Sequence, residues 1–220
     1  MSKPPRKTKR ASPVRRKAWG HGHERRDEIV TAAKRLFMSE GYEAVTTRQL
    51  AQEVGLSQTG LYVYFKSKEE ILAEIRVSAF GRLAARFREI TERPHGATLL
   101  KRLLVGYLEF ALDNADEYQL MFMVTHASLK QQPDKGFDRP ATGQPVSMQP
   151  ILIFRDQMAK LVENGVLRRV DATAATQMLW GALHGVATLL ITHPHFPWVD
   201  RRLLLDTLVD TLNKGLTKAS

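Results

Sequence analysis

The chain of 220 residues contains no cysteine, which excludes disulfides, thiol nucleophiles and any zinc-thiolate or cysteine redox sensor. No uninterrupted apolar run approaches membrane-spanning length, and the first residues lack the apolar core of a secretory signal. A cytoplasmic protein with no membrane partner is expected. The usual catalytic signatures are missing too: no nucleophile elbow, no phosphate loop of the Walker type, no paired carboxylates on a shared helical face. Neither an enzyme nor a bound cofactor is expected. His21 with His23 and His193 with His195 form two His-x-His pairs, but no adjacent carboxylate or cysteine completes a tetrahedral set. Loop histidines rather than a metal site are expected. Strand-like alternation is absent throughout, which leaves an all-α chain of about nine helices.

The charge is uneven. The formal net charge is +10, yet the first 23 residues carry eight basic side chains and no acid, whereas residues 24–70 hold seven basic and eight acidic ones. Arg6, Lys7, Lys9, Arg10, Arg15, Arg16 and Lys17 stand in this arm beside Pro4, Pro5, Pro13 and little apolar content, a composition that stays disordered when free. Basic arms of this kind reach nucleic acid, often in a minor groove, or serve only as a solvated leader.

Residues 46–72, TTRQLAQEVGLSQTGLYVYFKSKEEIL, organise the rest of the chain. Thr46 with Gln49 has the spacing of a capping box, so a short helix begins at Thr47. Leu50, Ala51 and Val54 share one face, Gly55 supplies the positive φ of a tight turn, and Ser57 can cap a second helix. Leu56 can plug the angle between the two. Helices joined this way form a helix-turn-helix whose second member can enter a major groove. Gln58 and Thr59 stand at its start with groups that can reach base edges. Tyr62, Tyr64, Lys66 and Lys68 carry hydroxyls and ammoniums suited to phosphate oxygens, although Tyr64 and Phe65 also suit the core. Ser67 with Glu70 has capping-box spacing for a third helix.

This stretch, with the helix before it, resembles the DNA-binding domain of TetR-type bacterial transcriptional regulators over residues 29–72. The segment LYVYFKSKEEIL is the most specific part: an aromatic pair after the recognition helix, then Ser-Lys opening the connector. The resemblance implies that Thr47 and Arg48 lie near the DNA backbone, Gln58, Thr59 and Gly60 at the groove floor, and Tyr62 and Lys68 on phosphates. It also implies a homodimer on an inverted-repeat operator.

The remaining helices are read from apolar spacing. The first runs over about residues 24–39 on a stripe of Ile29, Ala32, Ala33, Leu36 and Phe37, closed by Gly41. A connector spans about 68–91, ended by Pro94 and Gly96, and a broad-faced helix carries Leu99 to Leu112. Asn114 with Glu117 has the spacing to cap the next. Four prolines in 130–150 predict a mobile loop; helices then cover about 151–163, 171–193 and 200–214. Three parts are expected: the arm 1–23, the helix-turn-helix domain 24–70, and residues 71–220 for dimerisation and ligand sensing.

In LWGALHGVATLLI, Gly181, Ala182, Gly185 and Ala187 are small residues inside an apolar helix, where each glycine costs up to about 1 kcal/mol of propensity. Close approach of another helix would offset that, either within one subunit or across a dimer formed by the last two helices. Trp180 to Gly185 resembles the Trp-x-x-x-His-Gly signature of one C-terminal domain type in the same family. Tyr107, Phe110, Met121, Phe122, His126, Met158, Trp180 and His184 either line a pocket for an unidentified small-molecule effector or are ordinary core, with His184 hydrogen-bonded across the helix packing. The expected function is a sequence-specific DNA-binding repressor released by a ligand. An arm-driven architectural DNA binder of slight sequence preference is the alternative, as is a helical ligand-binding or catalytic protein without operator recognition.

Overall fold

Ile29, Ala32, Ala33 and Phe37 fall on one side of the first helix, α1 (Gly22–Glu40), and all four are buried. Helices α2 (Thr47–Glu53) and α3 (Gln58–Tyr62) follow, then the long α4 (Lys68–Glu92). The computed structural model describes residues 22–92, 96–122 and 145–218. Beyond α4 these contain α5 (Leu99–Asp113), α6 (Ala115–Phe122), α7 (Gln149–Glu163), α8 (Ala172–Thr192) and α9 (Arg201–Leu216). The fold is all-α, with nine α-helices and no strand among the described residues. The seven arm residues from Arg6 to Lys17, His21, Pro94, His126 and most of the expected loop lie outside them. Residues 149 and 150 already belong to α7, because proline is tolerated in a first helical turn, where its missing N–H has no partner to lose.

Two apolar clusters divide the side chains. One gathers Ile29, Phe37, Leu50, Leu61, Phe65, Ile71 and Ile75 from the first four helices, and it also takes in Leu120 from α6. The other gathers Ala79, Leu83 and Phe87 of α4 with Leu104, Tyr107, Tyr118, Met158, Leu179 and Leu183. Helix α4 therefore contributes its first half to one cluster and its second half to the other. Gly106 lets α5 close on α4, since a Cβ there would stand 2.5 Å from Ile90 Cδ1.

Two caps differ from their expected form. Asn114 turns its amide back to donate to the Phe110 carbonyl at 2.9 Å and so closes α5 instead of opening α6. Glu117 pairs with Lys34 at 2.5 Å and with Arg82. Lys34 and Arg82 each add the attraction of a full positive charge to the hydrogen bond, which a lone backbone N–H cannot offer the carboxylate. At the start of α4, Ser67 Oγ accepts from the Glu70 N–H at 3.3 Å as expected. The Glu70 carboxylate, however, accepts from the Lys66 N–H at 2.6 Å, one residue before the cap.

Helix α8 is long and apolar enough to cross a membrane by length and composition, although Gln177, His184 and four threonines interrupt its run. Its buried face packs on α5 and α7, and α9 packs on α5. Met178, Trp180 and Leu189 remain exposed on the other side of α8, as do Phe196, Val199 and Leu203 beyond it.

Candidate nucleic-acid interface

The interface begins with two caps. Thr46 Oγ1 accepts from the Gln49 N–H at 3.2 Å while Gln49 Oε1 accepts from the Thr46 N–H at 2.8 Å, so the capping box of α2 is complete. A cap of this kind contributes about 1 kcal/mol to the helix it opens. Gly55 has a φ of 66°, in the left-handed region where glycine carries no Cβ penalty, and the turn it makes lets the Leu56 N–H reach the Ala51 carbonyl at 2.8 Å. Leu56 is half-buried and packed against the first apolar cluster. Ser57 Oγ then accepts from the Gly60 N–H at 3.0 Å and fixes the start of α3. A Cβ at Gly60 would lie 3.3 Å from that same oxygen, so a side chain there would crowd the cap.

These constraints bring a polar group together on the outside. Gln58 Nε2 donates to Thr47 Oγ1 at 3.1 Å and lies 3.5 Å from the Tyr62 hydroxyl. Gln58, Thr59 and Tyr62 are exposed, and so are Arg48 and Lys66. The buried Leu61 anchors the opposite side of α3.

Other candidates are held differently. Tyr64 is half-buried against the first cluster, and its carbonyl accepts from Arg26 at 2.6 Å. Lys68 directs its ammonium at the carbonyls of Tyr42, Glu43 and Val45, at 2.8, 3.3 and 3.1 Å, and lies 4.4 Å from the centre of the Tyr42 ring. It thus ties α4 to the segment leading into α2. Arg25 and Arg26, which sequence reasoning does not single out, hold α1 against this unit. Arg25 donates to the Val54 carbonyl at 2.9 Å, and the Arg26 guanidinium sits 4.1 Å above the Phe65 ring. Two adjacent arginines near a helix start are the only signal of this in the sequence.

The second apolar cluster holds another polar group. The Tyr118 hydroxyl is 2.7 Å from that of Tyr107 and 2.5 Å from His184 Nδ1, and His184 Nε2 is 3.4 Å from Thr188 Oγ1. Neutral imidazole with its proton on Nε2 satisfies all three contacts: Tyr118 donates to Nδ1, Tyr107 donates to Tyr118, and Nε2–H points at Thr188. Burial pushes the Tyr107 phenol up to about 12, pushes Tyr118 up further, and lowers His184. All three groups are therefore neutral near pH 7. Phe122 and Trp180 flank the His184 ring, at 4.7 and 5.7 Å between centres. Phe110, Met121 and Met158 are buried in the same cluster.

Helix α6 links the His184 group to the first apolar cluster. Tyr118 reaches the His184 cluster. One residue away, Glu117 binds Lys34 of α1, and Leu120 enters the first apolar cluster while its carbonyl accepts from Arg76 Nε at 3.1 Å. Burial, and then the nearby Arg82 charge, lowers the Lys34 ammonium from its ordinary value.

Comparison with known proteins bears on both halves. Residues 29–75 match the model of bacterial regulatory proteins of the tetR family, and residues 100–212 match that of the tetracyclin repressor-like C-terminal domain. The nucleoid occlusion factor SlmA of Haemophilus influenzae (strain PittGG) is 32% identical over 149 residues, covering 64% of this chain and 63% of its own length. The HTH-type transcriptional repressor KstR2 of Mycolicibacterium smegmatis is 34% identical over 68 residues, covering 31% of this chain and 33% of its own. The chain thus spans less than two thirds of the length of these relatives. Among solved structures, a transcriptional regulator of the TetR/AcrR family from Thermobifida fusca YX-ER1 is 25% identical with a TM-score of 0.66, covering 87% of this chain and 98% of that one. The ketosteroid transcriptional regulator KstR2 of Mycobacterium tuberculosis shares the fold, at 21% identity and a TM-score of 0.63, over 89% of this chain and 96% of its own.

Proposed function

From the premise that this chain belongs to the TetR family of bacterial regulatory proteins, we propose that it is a sequence-specific DNA-binding transcriptional repressor. The observation that carries this reading is the outward group on α3: Gln58, Thr59 and Tyr62 project from a helix whose start is fixed by Ser57 and whose inner side is fixed by Leu61. Gln58 matches the edge of adenine, and Thr59 offers a hydroxyl or a methyl. Thr47, Arg48, Tyr62 and Lys66 contact the DNA backbone and set register without reading sequence. Lys68, engaged by three carbonyls, serves the interface by fixing the angle of α4. The domain that reads DNA comprises residues 24–70, and residues 71–220 dimerise and sense. The arm supplies long-range attraction, and the protein acts in the cytoplasm without catalysing a reaction.

A homodimer through α8 and α9 suits the exposed apolar residues there. It also gives the glycines of α8 a purpose, since a Cβ at Gly181 or Gly185 would meet nothing within 4 Å in the subunit itself. A two-fold dimer places two copies of α3 on half-sites about 34–36 Å apart. The effector is a small molecule bound beside His184, and it releases the operator because it and DNA favour different arrangements of α6 and α4. Each must then weaken the other's binding by the same factor.

The division of labour is tested by two variants. Gln58→Ala with Thr59→Ala erodes discrimination between cognate and random duplexes, whereas removal of residues 2–17 weakens both alike and flattens the salt dependence. Equal losses on both duplexes for the Gln58/Thr59 variant would remove the base-reading assignment. The likeness to a nucleoid occlusion factor favours one further reading, in which the arm dominates and sequence preference is slight; strong salt dependence without a preferred site is its signature.

A further inference from the structure

We infer that Val63 reads a base, its methyl groups meeting the C5-methyl of a thymine in each half-site. The inference rests on the proposed DNA reading and deepens it. Val63 is 79% exposed, more than any other large hydrophobic side chain among the described residues. A single exposed apolar residue needs no explanation by itself; the position of this one supplies it. Residues 58, 59, 62 and 63 are exposed, whereas Leu61 and Phe65 are buried and Gly60 and Tyr64 are half-buried. Val63 has helical backbone angles, φ −66° and ψ −30°, so the helical geometry of α3 continues through it. Thr59 and Val63 are then neighbours at i and i+4 on the outward face.

The chemistry of the residue narrows what it does there. Valine is a weaker helix former than the polar residues that suit a solvated face, and its branched Cβ confines it to essentially one rotamer in a helix. What it offers is a stiff pair of methyl groups. It can neither donate to nor accept from a phosphate, so the register-setting role of Tyr62 and Lys66 is closed to it. The groove feature that an apolar side chain recognises is the thymine methyl, and a contact of that kind carries sequence information.

The test uses the full-length protein and the half-site recovered by selection from random duplexes. Each thymine of one half-site is replaced in turn by deoxyuridine, which pairs identically and lacks the methyl, and dissociation constants are measured for the wild type and for Val63→Ala. At one thymine the wild type should lose about fourfold, the equivalent of ~0.8 kcal/mol for one buried methyl-sized group. At that position Val63→Ala should bind thymine and deoxyuridine alike. If the variant keeps the wild-type ratio at every position, or the wild type is indifferent to every methyl, the inference is overturned while the DNA reading stands. If selection recovers no half-site, the DNA reading falls and takes this inference with it.

Discussion

At the α2–α3 end, the capping contacts span three residues, Thr46 with Gln49 and Ser57 with Gly60, and the contacts from Arg25, Arg26 and Lys68 to backbone carbonyls span 23 to 38 residues. At the His184 end the polar contacts span 66 and 77 residues, joining α6 and α5 to α8. A contact across three residues closes almost no loop and forms wherever the local sequence allows it, whereas one across dozens exists only once the helices have packed. Those polar contacts of the helix-turn-helix therefore all come from within residues 25–68, whereas those of Tyr118 form only once α5, α6 and α8 have packed. Helix α6 contributes to both apolar clusters, as α4 does.

That contrast is broken most directly at α6. Leu120→Ala should cost about 2–5 kcal/mol, since it empties a buried site in the first apolar cluster from an element outside residues 29–75. Denaturant unfolding measures this, and a cost near zero would mean that α6 does not brace the reading unit. Tyr118→Phe comes next, at about 1–3 kcal/mol, because Tyr107 and His184 lose the hydroxyl between them. Its loss should appear in thermal unfolding with DNA affinity nearly unchanged in the absence of ligand; an equal fall in affinity would tie the Tyr118 contacts to the reading unit more tightly than the contrast allows.

A smaller effect has the opposite sign. Gly181→Ala with Gly185→Ala should raise the helix stability of the isolated subunit by about 0.5–1 kcal/mol each, because nothing within the subunit opposes the added Cβ. The same change should weaken self-association in sedimentation at graded concentrations, and a variant that associates as well as the wild type would count against α8 as the dimer seam. The smallest effect is in pH. Burial holds His184 below its ordinary value of 6.5, so the unfolded chain takes up the proton first. This contribution to stability is complete above pH 6.5 and is lost as the pH falls through the lowered folded value. Thermal unfolding at about pH 7.5 and about pH 5.5 should show a larger drop for the wild type than for His184→Gln.

The same difference in contact range decides what is legible in the sequence. The stripe of α1, the Thr46–Gln49 box, the Gly55 turn and the Ser57 cap are local patterns, and each is present where its spacing places it. Asn114 and Glu117 have equally good spacing, yet Lys34, 83 residues away, and Arg82 take the carboxylate instead. No local pattern announces a competitor at that distance. Leu120 stands two residues from Tyr118 and so off the face that Tyr118 and Met121 share, and nothing local says that it enters the first cluster. His184 is recognisable as a histidine needing a partner, but nothing local names Tyr118 as that partner. Val63 gives no sign of a role in the sequence, because a valine between two tyrosines suggests core, and only its exposure shows otherwise.

Base reading by α3 is tested most directly by selection of bound duplexes from a random pool with the full-length protein at physiological salt. An inverted repeat whose half-sites lie about 34–36 Å apart, one helical turn of DNA, is the expected result. Retention of the pool without a motif would contradict it in favour of an arm-driven binder, and no retention at all would contradict DNA binding itself.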